Sequence, residues 1–171
     1  MRSVVLGVGI SLDGYIARPD GTVDFLQPDP AYSFQEFMNS IDATIMGRKT
    51  YEVALKMGGG FGGKMTSYVL SRTLPSGKKK STQFTDRSPA EVVVELRQSP
   101  GKDIWLMGGG ELAREFLKSD LIDRIDLGVM PCLIGSGIPL FPAGFPQRQF
   151  QLAKSKAYPS GMLELSYARA R

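Results

Sequence analysis

Short apolar segments that end in a glycine or in a polar–basic pair recur along this chain, and they constrain its fold more than any other feature. Residues 4–10, 43–46, 67–70, 104–107 and 125–130 are apolar and rich in β-branched or aromatic side chains, as strands are. Helical spacing fills several of the gaps. Phe34, Phe37, Met38 and Ile41 recur at three and four residues, so 32–41 reads as a helix with one apolar stripe. Residues 51–57 read as helix as well. Ser88-Pro89-Ala90-Glu91 supplies an N-cap, a proline at the first helical position and a glutamate at the third, a capping box for a helix to about Gln98. A further helix is expected over 111–118, with Leu112, Phe116 and Leu117 inward. Strands alternating with helices predict an α/β fold with a largely parallel sheet. The end of the chain differs: 147–156 and 162–170 flank the turn sequence Tyr158-Pro159-Ser160-Gly161, so an antiparallel hairpin should close one edge.

The 171 residues fit a single domain, 1–171. No apolar run nears the roughly 20 residues that span a bilayer, and the first residues lack the pattern of a signal peptide. The expectation is a cytoplasmic protein with no membrane partner. With no histidine and one cysteine, Cys132, the chain has no imidazole for a catalytic triad or metal site and no pair for an internal disulfide. Cys132 reads as a buried structural thiol, and no metal is expected. Proton transfer then falls to carboxylates, Tyr, Lys or water. Hydride chemistry tolerates this, because the cofactor carries the reactive atom. The net charge of +4 is mild. Lys78-Lys79-Lys80 after Pro75-Ser76-Gly77 reads as a solvated turn, not a nucleic-acid patch.

Gly58–Met65 nearly matches two phosphate-loop patterns, but no strand precedes it and Met65 stands where a P-loop needs Ser or Thr. It reads as a surface loop. Ile104-Trp105-Leu106-Met107-Gly108-Gly109-Gly110-Glu111-Leu112 has the missing context, a strand running into glycines and a helix start that could face a pyrophosphate. A tight turn with no ligand explains the same residues. Met46-Gly47-Arg48-Lys49-Thr50 ends another strand with two cations at a helix start, where they oppose the helix dipole unless an anion sits beside them. Leu70-Ser71-Arg72 repeats the polar–basic exit. Three such exits suit a nucleotide lying across the carboxyl edge of an open sheet.

The order of these motifs resembles the dihydrofolate-reductase-like superfamily, and more closely its branch related to the reductase domain of bifunctional riboflavin-biosynthesis deaminase–reductases. Ser11-Leu12-Asp13-Gly14-Tyr15-Ile16-Ala17, Met46-Gly47-Arg48-Lys49-Thr50-Tyr51, Val69-Leu70-Ser71-Arg72, Met107-Gly108-Gly109-Gly110 and the segment from Pro131 to Phe141 carry the likeness over nearly the whole chain. The resemblance implies a three-layer fold with a mixed, mainly parallel sheet of about eight strands, NADPH as cofactor, and a homodimer through the C-terminal strands. It implies that the Gly9 and Ile16 backbones hold the nicotinamide. Arg48, Lys49, Ser71 and Arg72 would surround the adenosine 2′-phosphate, Gly108 through Leu112 would take the pyrophosphate, and Gly47, Thr50, Leu70 and Met107 complete the implied cofactor-binding set. The implied reaction is hydride transfer to a small heterocycle, of the 5-amino-6-(5-phosphoribosylamino)uracil type. Asp13 becomes the candidate catalytic acid, although Asp13-Gly14 also makes an ordinary turn. Tyr15 and Phe34 become candidate substrate contacts. The sequence departs from the family where folate reductases carry a carboxylate before the second strand: Asp29 and Glu36 are near, but neither is in register. That speaks against dihydrofolate and leaves open a nucleotide-binding or interaction module without turnover.

Overall fold

A computed structural model describes residues 1–58 and 65–170. Its elements in chain order are β1 (Val4–Ser11), β2 (Tyr15–Ala17), α1 (Phe34–Ser40), β3 (Ile41–Gly47), α2 (Arg48–Lys56) and β4 (Thr66–Leu70). They continue with β5 (Gly77–Lys79), β6 (Thr82–Thr85), α3 (Pro89–Gln98), β7 (Asp103–Gly108), α4 (Gly110–Lys118), β8 (Arg124–Met130), β9 (Ile138–Pro139), β10 (Phe150–Ala157) and β11 (Leu163–Arg169). Nine strands form one sheet in the order β10-β11-β8-β1-β7-β3-β4-β6-β5, and β2 pairs with β9 separately. The five central pairings are parallel, whereas the β10–β11 hairpin, its junction with β8, and the β5–β6 hairpin are antiparallel.

Alternation along the strands divides the core. Val4, Leu6, Ile45, Ile104 and Leu106 pack on one face with Val92, Val93 and Leu96 of α3 and Phe116 of α4. Trp105 and Ile41 point the other way, against Phe37 and Met38 of α1. The result is a three-layer arrangement, helices on both faces of the sheet. Helix α3 begins as its sequence dictates: the Ser88 side chain accepts the Glu91 N–H while the Glu91 carboxylate accepts the Ser88 N–H.

Three local expectations change. Helix α1 is shorter than 32–41, because Ile41 has extended backbone and already opens β3. Lys78 and Lys79 lie in an exposed edge strand, and only Lys80, at φ 55°, belongs to the turn. An edge strand exposed on both faces leaves no alternating pattern to read. The β5–β6 hairpin also brings the main sheet to nine strands. Of the glycine-rich segment Gly58–Met65, residues 59–64 lie outside the described residues.

Candidate active site

The sheet divides at its centre. Strand β1 pairs with β7 only through Val4, Val5 and Leu6, yet pairs with β8 as far as Ser11. Beyond Leu6 the two central strands separate, and the Trp105 indole N–H donates to the Gly7 carbonyl at 2.8 Å across the gap. A cleft of about 2070 Å³ runs along these strand ends. This is well above the volume usual for a drug-sized ligand and gives room for a dinucleotide together with a second molecule.

Every candidate cofactor residue except Gly108 lines this one cleft, from Gly9 and Ile16 through Gly47–Thr50 and Leu70–Arg72 to Met107 and Gly109–Leu112. Gly108 is buried behind it at φ +91°, a conformation that turns the chain from β7 toward α4 and that a side chain would strain. At Gly47 a side chain would meet nothing within 4 Å, so the exit of β3 is open to the cleft. At Gly110 the opposite holds: a Cβ would fall 2.3 Å from the Pro139 carbonyl oxygen, so only glycine lets the β9 segment pass against the start of α4. The first intrahelical bond of α4 runs from Ala113 N to Gly109 O at 3.0 Å, which leaves the N–H groups of Gly110, Glu111 and Leu112 without helix acceptors.

Charge is distributed unevenly among the basic residues. Arg48 is partnered within its own helix, donating to Glu52 at 2.8 Å. Lys49 and Arg72 make no ion pair among the described residues. The Ser71 hydroxyl oxygen accepts the N–H groups of Thr73 (3.2 Å) and Leu74 (3.1 Å) and shares a hydrogen bond with the Thr73 hydroxyl at 3.2 Å, which fixes the exit of β4. Arg87 also reaches the cleft, held by Thr85 and Glu95. Sequence reasoning missed it because nothing in Thr85-Asp86-Arg87-Ser88 resembles a phosphate motif.

The acid–base candidates lie elsewhere than expected. The Asp13 carboxylate is exposed, does not line the cleft, and accepts N–H bonds from Ile134 (3.2 Å) and Gly135 (2.8 Å). The Ser11 hydroxyl first, then these two N–H groups, hold its carboxyl below the ordinary range. It braces the β1–β2 turn against the 131–137 loop. Tyr15 also leaves the cleft, its ring against Gly137. Asp29 is buried and accepts the N–H groups of Ala31 (2.8 Å) and Ser160 (2.9 Å), tying the segment before α1 to the hairpin turn. Phe34 and Glu36 do line the cleft. Its walls also hold residues that the sequence did not single out: Tyr32, Phe37 and Trp105 beside α1, and Asp126 and Glu164 on β8 and β11. The strand alternation that buries Ile104 and Leu106 on one face was the available signal for Trp105 on the other.

A mainly parallel sheet divided at its centre, with helix starts and cations along its carboxyl edge, defines the dihydrofolate-reductase-like α/β class. Within that class the chain belongs to the RibD C-terminal domain family, whose model matches residues 2–163. Two Bacillus subtilis (strain 168) proteins described as uncharacterized are similar over nearly their whole length. YwjB is 34% identical over 175 residues, covering 99% of each chain, and YyaP is 29% identical over 178 residues, covering 97% of this chain and 94% of its own. Among solved structures, one from Shewanella sp. PV-4 superposes with a TM-score of 0.86 at 27% identity over 100% of both chains. A Thermotoga maritima deaminase/5-amino-6-(5-phosphoribosylamino)uracil reductase has a TM-score of 0.75 at 16% identity, over 99% of this chain and 57% of that one.

Proposed function

We propose that this chain is an NADPH-dependent reductase that transfers hydride to a small heterocyclic acceptor. Membership of the RibD C-terminal domain family supports the reductase class, and the Shewanella relative is named for riboflavin biosynthesis. The observation that carries the reading is the convergence of three strand exits, at Gly47, Leu70 and Gly109–Gly110, on a single cleft beside the division of the sheet. The residues present fit the cofactor. The open space at Gly47 and the free N–H groups at the start of α4 suit phosphate oxygens, and Lys49, Arg72 and Arg48 suit a 2′-phosphate. NADPH would supply the hydride; the protein binds it, orients it and shapes the acceptor's place.

Calorimetric titration with NADPH and NADH tests this reading. The expected result is tight NADPH binding with weaker NADH, and no binding of either would refute it. One observation favours a second reading, binding without turnover: Asp13 and Asp29 are both committed to backbone N–H groups and donate no proton to the cleft. NADPH oxidation with a panel of pterins, pyrimidines and quinones separates the two, since turnover of any of them removes the second.

A further inference from the structure

We propose that Tyr32 is the catalytic acid of this site: its hydroxyl donates the proton to the nitrogen or oxygen beside the carbon that takes the hydride. The inference rests on the reductase reading, and it names the proton donor that Asp13 and Asp29 do not supply. Tyr32 lines the cleft just before α1. Its ring meets Tyr158 edge-on, with centroids 6.1 Å apart, and packs against Met130 and Met162 as well. Its hydroxyl makes no hydrogen bond among the described residues, and it is not sealed from solvent. A phenol so placed has a proton to give.

The sheet beneath explains why this hydroxyl is the one in place. Across β1, β8 and β11, Gly9 lies opposite Gly128 and Gly128 opposite Glu164; Gly7 lies opposite Asp126 and Asp126 opposite Ser166. Residues opposite one another share a face. A Cβ at Gly7 would fall 2.7 Å from the Phe37 ring, one at Gly9 3.1 Å from Leu26, and one at Gly128 3.1 Å from Met162, so this face is the α1 side. Leu26, which covers Gly9, packs with Tyr32 against the same Met130–Tyr158–Met162 cluster. The cofactor half of the cleft, along the three strand exits, ends at Gly9, where the nicotinamide is expected. Tyr32 therefore stands on the α1 side of that ring's place.

The strand-borne polar groups of the same wall are committed. Asp126 accepts Ser166 at 2.6 Å and pairs with Arg124 at 3.0 Å. Glu164 accepts the Tyr158 hydroxyl at 2.8 Å and pairs with Lys154 at 3.2 Å. Lys156 makes no ion pair among the described residues, but its ammonium rests 4.5 Å above the Tyr158 ring. It belongs to β10, three places from β1, which is roughly 14 Å at the usual strand spacing. In the step, the acceptor carbon takes the hydride with its electron pair, which oxidises NADPH to NADP⁺. The π pair of the acceptor's double bond moves to the nitrogen or oxygen, and that atom takes the Tyr32 proton as the O–H bond breaks. Water entering the cleft then returns a proton to the tyrosinate. Burial first, and then the charge of Glu164, push the Tyr32 phenol above its ordinary value, which keeps the donor loaded at neutral pH.

Turnover of 6-methyl-7,8-dihydropterin and of menadione with NADPH, by the whole protein and by its Tyr32→Phe variant, tests the assignment. Reducing the pterin's C=N bond creates a strongly basic nitrogen that needs an acid, whereas reducing the quinone creates a far less basic, phenolate-like oxygen. Tyr32→Phe should lower kcat for the pterin at least about a hundredfold and for menadione no more than about threefold, with an unchanged NADPH Kd. Retained pterin turnover, an equal loss for both acceptors, or a weakening of NADPH as large as the loss of kcat would overturn the assignment. So would an equal loss in Lys156→Met or Glu36→Gln, or a wild type that reduces menadione but not the pterin. Wild-type turnover of neither compound would overturn the reductase reading and the assignment together, whereas turnover kept by Tyr32→Phe overturns the assignment alone.

Discussion

At the scale of residues, the cofactor half depends on a few groups whose alternatives are sterically or electrostatically defined. Arg48 is the first residue of α2, where its charge opposes the helix dipole, and Glu52 offsets only part of that cost. A 2′-phosphate would supply the missing anion. Arg48→Ala is therefore expected to weaken NADPH by about tenfold while changing NADH little, measured as paired Kd values; an equal loss for both would remove Arg48 from phosphate recognition. Gly110→Ala tests the close approach. Its Cβ cannot coexist with the Pro139 carbonyl 2.3 Å away, so the β9 segment must shift from α4. Weakened binding of both dinucleotides and a lower Tm are expected. An unchanged Tm would show that the segment moves without cost.

At the scale of elements, local sequence and tertiary demand agree most fully in α3. Its capping box orients the helix start, and Val92, Val93 and Leu96 bury its inner stripe. Ser88→Ala removes the side-chain acceptor of the Glu91 N–H and should cost about 1 kcal/mol, read as a lower denaturant midpoint with an unchanged slope. Helix α1 is the contrary case. None of its residues is fully buried, and its aromatic stripe is shared between packing on Trp105 and lining the cleft. Helical spacing placed Phe34, Phe37 and Met38 on one stripe, though it wrongly added Ile41 of β3, and could not tell a core contact from a binding surface, because both place apolar residues on one helix face.

At the scale of the molecule, charge placement sets the response to pH. Asp13, Asp29, Glu91 and Glu95 are all held below their ordinary values, the first two chiefly by hydrogen bonds from Ser11 and the Ala31 N–H, the others by Ser88 and Tyr68. Depressed carboxyls favour the folded state above the unfolded values of 3.8 and 4.5, and that contribution is lost as pH falls through the lower folded values. Tyr68 and Tyr158 are pushed up to about 12, first by burial and then by hydrogen bonds to Glu95 and Glu164. Their contribution is complete below 10.0 and is lost as pH rises toward about 12. A plot of Tm against pH should be flat at neutrality and fall below about 4 and above about 10; a flat acid limb would contradict the carboxylate assignments. No helix among the described residues is long and apolar enough to cross a membrane. Homodimerisation through the C-terminal strands is proposed from the exposed β10 edge, with Leu152 at 55% exposure, and from Leu163 of the adjoining β11 at 38%. Light scattering should give twice the 18.7 kDa chain mass, and a monomer would refute it.

The sequence by itself determined the strand–helix alternation, the capping box of α3, the terminal hairpin and the residues at the three strand exits. Each of these is written in local chemistry: periodicity, a cap, a turn, or a glycine beside a cation. Only the tertiary structure decided what faces the cleft. Asp13-Gly14 reads as a turn and also as an acid until the 134–135 amides are seen to occupy its oxygens, and those lie 121 and 122 residues away in the chain. The cleft draws its walls from α1, β7, β8, β10 and β11 among others, elements distant in sequence that the strand order of the sheet brings together. No local pattern records which of their charges will meet, and so the pairing of Arg124, Lys154 and Glu164 became visible only in the fold.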